Sequence, residues 1–232
     1  MLTRNLLHDY QNRGVQFVID NPKSALWLDM GLGKTLTSIT AIVDLLDSFD
    51  VTKVLIIAPL RVANTTWHKE ILNWEHTKHL SYSIVTGSEK KRQAALYKSA
   101  DVYIINRENV KWLVDFYGKK WPFDNVVIDE SDMVVVDESS SFKNSSSQRW
   151  KSLRKVLPYI DRMIQLTGTP TSNGLLDLFS QLYLLDTGER LGRTMTAYKQ
   201  RFFESDYMGF KYTPRQGSDE KIQNLIKDIV MT

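Results

Sequence analysis

One turn constrains this chain more than any other stretch. The short run Ser24-Ala25-Leu26-Trp27 gives way to Leu28-Asp29-Met30-Gly31-Leu32-Gly33-Lys34-Thr35, and a helical period follows at once. Leu36, Ile39, Ile42, Val43 and Leu46 share one face of that period, which predicts a helix over Thr35–Leu46. Strand, glycine turn, Lys-Thr and helix form a layout that cradles nucleotide phosphates. Backbone N–H groups of the turn and of the helix start point at phosphate oxygens, and glycine lets the backbone come close. Met30, Gly31, Leu32 and Gly33 would form the cradle. Lys34 would neutralise the phosphates and the Thr35 hydroxyl would hold Mg²⁺. The full phosphate-loop pattern opens with glycine, where this chain has Leu28.

The rest of the chain repeats the strand-then-helix alternation. Short β-rich runs lie at Ala25–Leu28, Val54–Ala58, Tyr82–Thr86, Val102–Ile105, a doubled run between Val126 and Asp137, and Met163–Leu166. Helical stripes separate them: Trp67, Ile71 and Trp74 in a helix over Thr65–Trp74 capped by Asn64, and Leu175, Leu178, Phe179 and Leu182 in one capped by Ser172 or Asn173. Such alternation predicts an α/β fold, a mainly parallel central sheet with helices on both faces. Ligands of such sheets sit at the carboxyl ends of the strands. Polar signals close the strands here: Asp29–Thr35, Ala58-Pro59-Leu60-Arg61, Thr86-Gly87, Asn106-Arg107, an Asp-Glu pair, and Thr167-Gly168-Thr169-Pro170.

The Asp-Glu pair occurs twice, since NVVIDESD at Asn125–Asp132 nearly repeats as MVVVDESS at Met133–Ser140. One carboxylate beside a phosphate loop can hold Mg²⁺ and its neighbour can orient and deprotonate a water. Only one copy fits as a strand. The strand ending near Asn106 rises to the ligand edge and the helix near Asn109–Phe116 returns the chain to the bottom. One rising strand must follow before the helix near Gln148–Val156 descends. We favour Asp137 and Glu138; if the first copy is used, Asp129 and Glu130 take the same roles.

With 232 residues the chain is long enough for a sizeable core, and 42% hydrophobic with 25% charged residues is ordinary for a globular protein. Having no cysteine, it has no disulfide partner, cysteine-zinc cluster or thiol nucleophile. Neither a signal-peptide core nor a membrane span is visible, so an intracellular chain, cytoplasmic or nucleoid/nuclear, is expected. The net charge of +3 neither demands nor excludes nucleic acid. Arg190, Arg193, Lys199, Arg201, Lys211 and Arg215 alternate with Phe202, Phe203, Tyr207, Phe210 and Tyr212, either as a solvated face whose aromatics pack inward or as a nucleic-acid contact. His76 and His79 could share a helix face, but with no third ligand a solvated pair is the better reading.

The ordered set LHDYQNRGV, DMGLGKT, IIAPLRVANTTWHKEILNW, DESSSFKN and LTGTPTSNGLLDLFSQLYLL resembles the first RecA-like lobe of superfamily-2 helicases, in particular the Swi/Snf-type DNA translocases. The likeness runs from about Leu7 to Leu185. It implies a three-layer RecA-like P-loop NTPase domain over residues 1–186, followed by a basic, aromatic helical extension over 187–232 that leads to a second lobe absent from the sequence. It also implies ATP-driven movement along double-stranded DNA, with RNA a further candidate, and ATP and Mg²⁺ as cofactors. By the same resemblance Gln11 reads the adenine edge beside Tyr10, Asp137 coordinates Mg²⁺ and Glu138 is the general base. Thr167, Gly168 and Thr169 couple nucleotide to DNA, and Pro59, Arg61, Thr86, Asn106 and Arg107 face the phosphate backbone. The acidic tetrad in this family usually reads Asp-Glu-Ala-His, and here it reads Asp-Glu-Ser-Ser. In the family the second lobe supplies arginine fingers, so this chain by itself is expected to bind Mg-ATP weakly and turn it over slowly. Two rivals explain part of the pattern: a P-loop ATPase or kinase of another class, or a degenerate lobe that binds DNA without catalysis.

Overall fold

A computed structural model of the chain describes residues 2–118, 132–208 and 211–232. Seven parallel strands form the central sheet: β1 (Lys23–Leu26), β2 (Lys53–Ala58), β3 (Tyr82–Val85), β4 (Val102–Asn106), β5 (Asp132–Asp137), β6 (Arg162–Leu166) and β9 (Val230–Met231). Their spatial order is β3-β4-β2-β5-β6-β1-β9. A short antiparallel hairpin, β7 (Phe203–Ser205) with β8 (Tyr212–Pro214), stands apart from the sheet.

Parallel strands buried on both faces must be apolar on both, and successive side chains divide between the two layers. Leu55, Ile57, Tyr103, Ile105, Val134 and Val136 enter one core; Val54, Ile56, Val102, Ile104, Met133 and Val135 enter the other. Helices α1 (Asp9–Asp20), α2 (Lys34–Asp47), α3 (Leu60–Thr65) and α4 (Trp67–Asn73) cover the second face. The first is covered by α6 (Val110–Tyr117), α7 (Gln148–Val156), α8 (Leu176–Asp186), α9 (Met195–Phe202) and α10 (Ser218–Ile226). Helix α5 (Glu89–Leu96) flanks β3 near the sheet's edge. The three-layer α/β fold is thus the one the sequence predicts.

Four details differ from expectation. The helix expected over Thr65–Trp74 is two helices broken at Thr66, because Pro59 ends β2 and lets α3 begin at Leu60, while the β-branched pair Thr65-Thr66 weakens the junction. Asn64 is therefore not a cap; it lies inside α3 and accepts a hydrogen bond from Thr86 Oγ1 at 2.8 Å. Neither Ser172 nor Asn173 caps α8. Its Asp177 carboxylate instead accepts Asn173 N–H at 2.8 Å and the Ser172 hydroxyl at 3.3 Å, which ties down the approach to the helix. The extension expected to be helical over 187–232 is not helical to its end, since α10 stops at Ile226 and Val230–Met231 pair with Ala25–Leu26.

The chain beyond Asp186 comes back to the main core. Tyr198, Phe202, Phe203, Ile222, Ile226 and Val230 are buried in the same cluster as Leu182 and Leu185. Of the basic-aromatic stretch, Lys199 lies over the Tyr212 ring at 3.8 Å and Tyr207 is fully exposed, while Phe210 lies outside the described residues.

Candidate functional site

Three neighbouring strand ends, those of β1, β6 and β5, build the site. Beyond β1 the backbone turns through Gly31 (φ +85°) and Gly33 (φ +71°), a left-handed conformation that costs glycine little. Gly33 is the N-cap of α2, so the free N–H groups of the first turn open onto the glycine loop. A Cβ at Gly31 would meet nothing within 4 Å, which leaves the loop's outer side open to a ligand. The Lys34 ammonium bends back and donates to the Leu28 carbonyl at 2.6 Å and the Asp29 carbonyl at 3.0 Å. It thereby clasps the loop from beneath. Thr35 follows, half-buried.

Helix α1 brings the residues expected to frame a base. Gly14 makes this possible: a Cβ there would come within 2.9 Å of Thr37 Cγ2, so only glycine lets α1 lie this close to α2. Gln11 is 6% exposed, and its side chain occupies the space that a Cβ on Gly33 would need. Its Oε1 accepts His8 N–H at 2.9 Å, closing a capping box that fixes the amide. The Tyr10 hydroxyl donates to Leu32 O at 3.3 Å, and the ring stacks on His8 at 5.6 Å. Met30 is different, for it is 82% exposed.

The second copy of the acidic repeat forms β5, parallel to β2 and β6 and ending at Asp137 opposite Leu166. Asp129 and Glu130 of the first copy lie outside the described residues. Asp137 is 8% exposed. One of its oxygens accepts the Trp67 indole N–H at 2.9 Å and the other accepts Glu138 N–H at 2.9 Å. Burial pushes its carboxyl up to about 6 and the Glu138 charge adds to the rise, while the Trp67 and Glu138 N–H groups and the Lys34 ammonium oppose it. A buried carboxylate so raised is a ready partner for a divalent cation, whose charge favours the ionised form. Glu138 sits at φ +52°, unusual for a residue with a Cβ and of order 1 kcal/mol in strain. That backbone kink turns the chain out of the strand into the short 3₁₀ turn Ser139–Phe142.

The Thr167–Thr169 loop closes the site. Thr167 is fully buried, bonds Leu26 O through its N–H at 3.3 Å, and accepts Thr169 N–H on its hydroxyl at 3.1 Å. Gly168 presses on the glycine turn, where an added Cβ would stand 3.3 Å from Leu28 O and 3.4 Å from Met30 N.

The structure gathers the other expected contacts on the opposite half of the same edge, at the ends of β2, β4 and β3. Pro59 is the N-cap of α3 and Arg61 is exposed on that helix. Thr86 is bonded to Asn64, as above. Asn106 is 5% exposed; its amide donates to Glu108 at 2.9 Å and its carbonyl oxygen accepts from Asn109 at 2.5 Å. It shapes the loop and presents little to solvent. Arg107 reaches solvent but pairs with Glu108 at 3.1 Å. His76 and His79 gather no further ligand: among the described residues no group of three metal-binding side chains occurs, and His76 Nε2 lies 2.9 Å from Thr40 Oγ1. No helix among them is long and apolar enough to cross a membrane.

Sequence reasoning overlooked Trp67, Ser139 and Gln181. Trp67 was legible only as part of an apolar stripe, although a buried indole N–H needs an acceptor. Ser139 stood in the departure from the family tetrad. Gln181 interrupted the apolar face of α8.

The pattern of the SNF2-related domain matches residues 10–230. A phage protein, "Putative protein p41" of Acyrthosiphon pisum secondary endosymbiont phage 1, is 40% identical over 199 residues, covering 84% of this chain and 42% of p41. "DNA repair and recombination protein RAD54-like" of Drosophila willistoni is 29% identical over 244 residues, covering 97% of this chain and 30% of the relative. Among solved structures, the "Sulfolobus solfataricus SWI2/SNF2 ATPase core in complex with dsDNA" superposes with a TM-score of 0.75 at 23% identity, over 97% of this chain and 44% of that one. The chain thus spans less than half the length of each.

Proposed function

This chain belongs to the SNF2-related domain family, and from that premise we propose that it is the first motor lobe of an ATP-driven translocase on double-stranded DNA. One observation carries the reading. Gln11, the Gly31–Thr35 turn, Asp137 with Glu138, and the Thr167–Thr169 loop come from distant parts of the sequence and meet at neighbouring strand ends.

Lys34 and the N–H groups at the start of α2 are suited to phosphate oxygens, and Thr35 and Asp137 to Mg²⁺. When bound, Mg-ATP supplies a phosphoanhydride whose cleavage needs charge neutralisation and an oriented water. Lys34 provides positive charge at the turn. Glu138, next in the chain to Asp137, would take the proton of the attacking water. Gln11, held by His8 N–H, presents its amide to an adenine edge, and Tyr10 braces the loop through Leu32. The Thr167–Thr169 loop, packed on the phosphate turn through Gly168, is placed to sense the nucleotide. On the other half of the edge, Arg61 and Arg107 would meet duplex phosphates without reading bases, as tracking along DNA requires. Completion of the site by arginines of a second RecA-like lobe fits the share of its relatives that this chain spans.

The test is ATP hydrolysis with and without duplex DNA, by this chain alone and joined to a second lobe. We expect slow, weakly stimulated turnover alone and duplex-stimulated turnover when joined. Robust duplex-stimulated turnover by the pure monomer would overturn the two-lobe reading. Phosphotransfer indifferent to DNA in the joined protein would point to another P-loop class.

A further inference from the structure

Beyond Asp137 and Leu166 the β5–β6 ladder ends and the two chains part into the loops that carry Glu138 and Thr167–Pro170. Something else must hold those loops in register. A buried chain of hydrogen bonds does so. The Ser139 hydroxyl donates to Gln181 Oε1 at 3.0 Å, and Gln181 Nε2 donates to the Pro170 carbonyl at 2.7 Å and to Asp177 O at 3.0 Å. Ser139 and Gln181 are both fully buried. The amide orientation is dictated by its partners, because a flipped amide would set its oxygen against two carbonyl acceptors. Gln165, the β6 residue two before Thr167, adds a further tie by donating to the Gln181 backbone carbonyl at 2.7 Å.

Polar groups in such a place are costly unless they are hydrogen-bonded, and here the Ser139 hydroxyl and the Gln181 amide both are. Helix α8 carries Leu178 and Leu182 beside Gln181, so leucine at 181 and alanine at 139 would extend the apolar core at the cost of the bond to the Pro170 carbonyl. Instead a serine peptide-bonded to the kinked Glu138 is wired to the last residue of the Thr-Gly-Thr-Pro loop. Ser140, next along, makes no side-chain hydrogen bond among the described residues.

We infer that Ser139 and Gln181 are positioning residues, a relay that carries a shift of Glu138 on nucleotide engagement to the Thr167–Pro170 loop. The inference rests on the nucleotide reading given above. The relay has two discrete bonds in series, so removing either end disconnects it, and the two removals together do no more than one.

The test is amide hydrogen exchange on this chain with and without Mg²⁺ and a non-hydrolysable ATP analogue, with analogue affinity measured in parallel. In the unsubstituted chain the analogue should slow exchange at Gly168 and Thr169 about tenfold or more. In Ser139→Ala and in Gln181→Leu the slowing should fall below about threefold, and the double variant should match the singles. Analogue affinity should stay within about threefold, and Ser139→Thr, which keeps the hydroxyl, should behave as the unsubstituted chain. The relay is wrong if the analogue binds without slowing these amides, or if Ser139→Ala retains the full effect. It is also wrong if that variant loosens β5 and β6 throughout, since Ser139 would then serve packing. Failure of the unsubstituted chain to bind the analogue is a different result and removes the nucleotide reading itself.

Discussion

The two halves of the sheet's carboxyl edge are built differently. At the ends of β1, β6 and β5 the backbone takes positive φ at Gly31, Gly33 and Glu138, and Gln11, Asp137 and Thr167 are buried and bonded. At the ends of β2, β4 and β3 Gly87 also takes positive φ and Asn106 is also buried and bonded, but the cations are outward: Arg61 stands in solvent and Arg107 leans on Glu108. Preorganised, water-poor groups suit chemistry, where a small displacement is expensive. Exposed, partly compensated cations suit contact with a regular polyanion, where each contact contributes little and none must be exact in position. The difference teaches that one edge can carry two kinds of surface, because neighbouring strands hand their polar groups to differently built loops.

That contrast can be broken in three ways, taken from the largest expected effect. Lys34→Ala removes the cation that clasps the turn and, on the proposed reading, would meet phosphate. Mg-ATP affinity should fall roughly 100-fold by calorimetry, about 2.7 kcal/mol, while duplex affinity is unchanged. Equal loss of both would mean that the halves are not separable.

Asp137→Asn probes the stability side. The folded carboxyl titrates near 6, above its unfolded value of 3.8, so the fold favours the protonated form. Asp137 therefore contributes stability that is present below pH 4 and lost as pH rises through about 6. At pH 7.5 the asparagine variant should be more stable by up to about 3 kcal/mol, at 1.36 kcal/mol per unit, with a flatter stability profile between those pH values. Mg-ATP should stabilise the unsubstituted chain and not the variant. A variant less stable than the parent at pH 7.5 in thermal unfolding would show that the two N–H bonds to Asp137 outweigh its burial.

The smallest effect belongs to the other half. Arg61→Ala should weaken duplex binding about threefold to tenfold and reduce the salt slope by about one. Arg107→Ala should do less, since Glu108 already offsets its charge at 3.1 Å. Fluorescence anisotropy over a salt series checks both. Equal losses would mean that Glu108 swings away on binding.

The two halves were also unequally legible in the sequence. The turn at Gly33 and Lys34 was readable because the backbone it imposes admits few substitutes, whereas the Asp-Glu pair was readable only as a strand end that occurs twice, of which the described residues hold the second copy. The likeness to a family supplied Gln11, which no spacing would have singled out. Periodicity reports which residues are buried and is silent on what their polar atoms bond, so Trp67 appeared as core while its N–H holds Asp137. Asn106 was expected at phosphate, yet its amide is spent on Glu108 and Asn109, partners that only the β4 loop geometry reveals. The pairing of Val230–Met231 with β1 was invisible for a simpler reason: two residues carry no period.

That last pairing bears on how the molecule is made. Strand β1 bonds β6 on one side, and on the other Ala25 and Trp27 donate to Ile229 and Met231 at 2.8 Å. A ribosome delivers β1 about 200 residues ahead of β9, which at ~5–20 residues per second is a wait of roughly 10–40 s. Through that interval the strand leading into the glycine turn has a bare edge. Its last closure is among the most distant in the sheet, a contact of the kind that slows folding. A nascent chain would therefore complete the strand that carries its glycine turn late, after most of its core has already condensed.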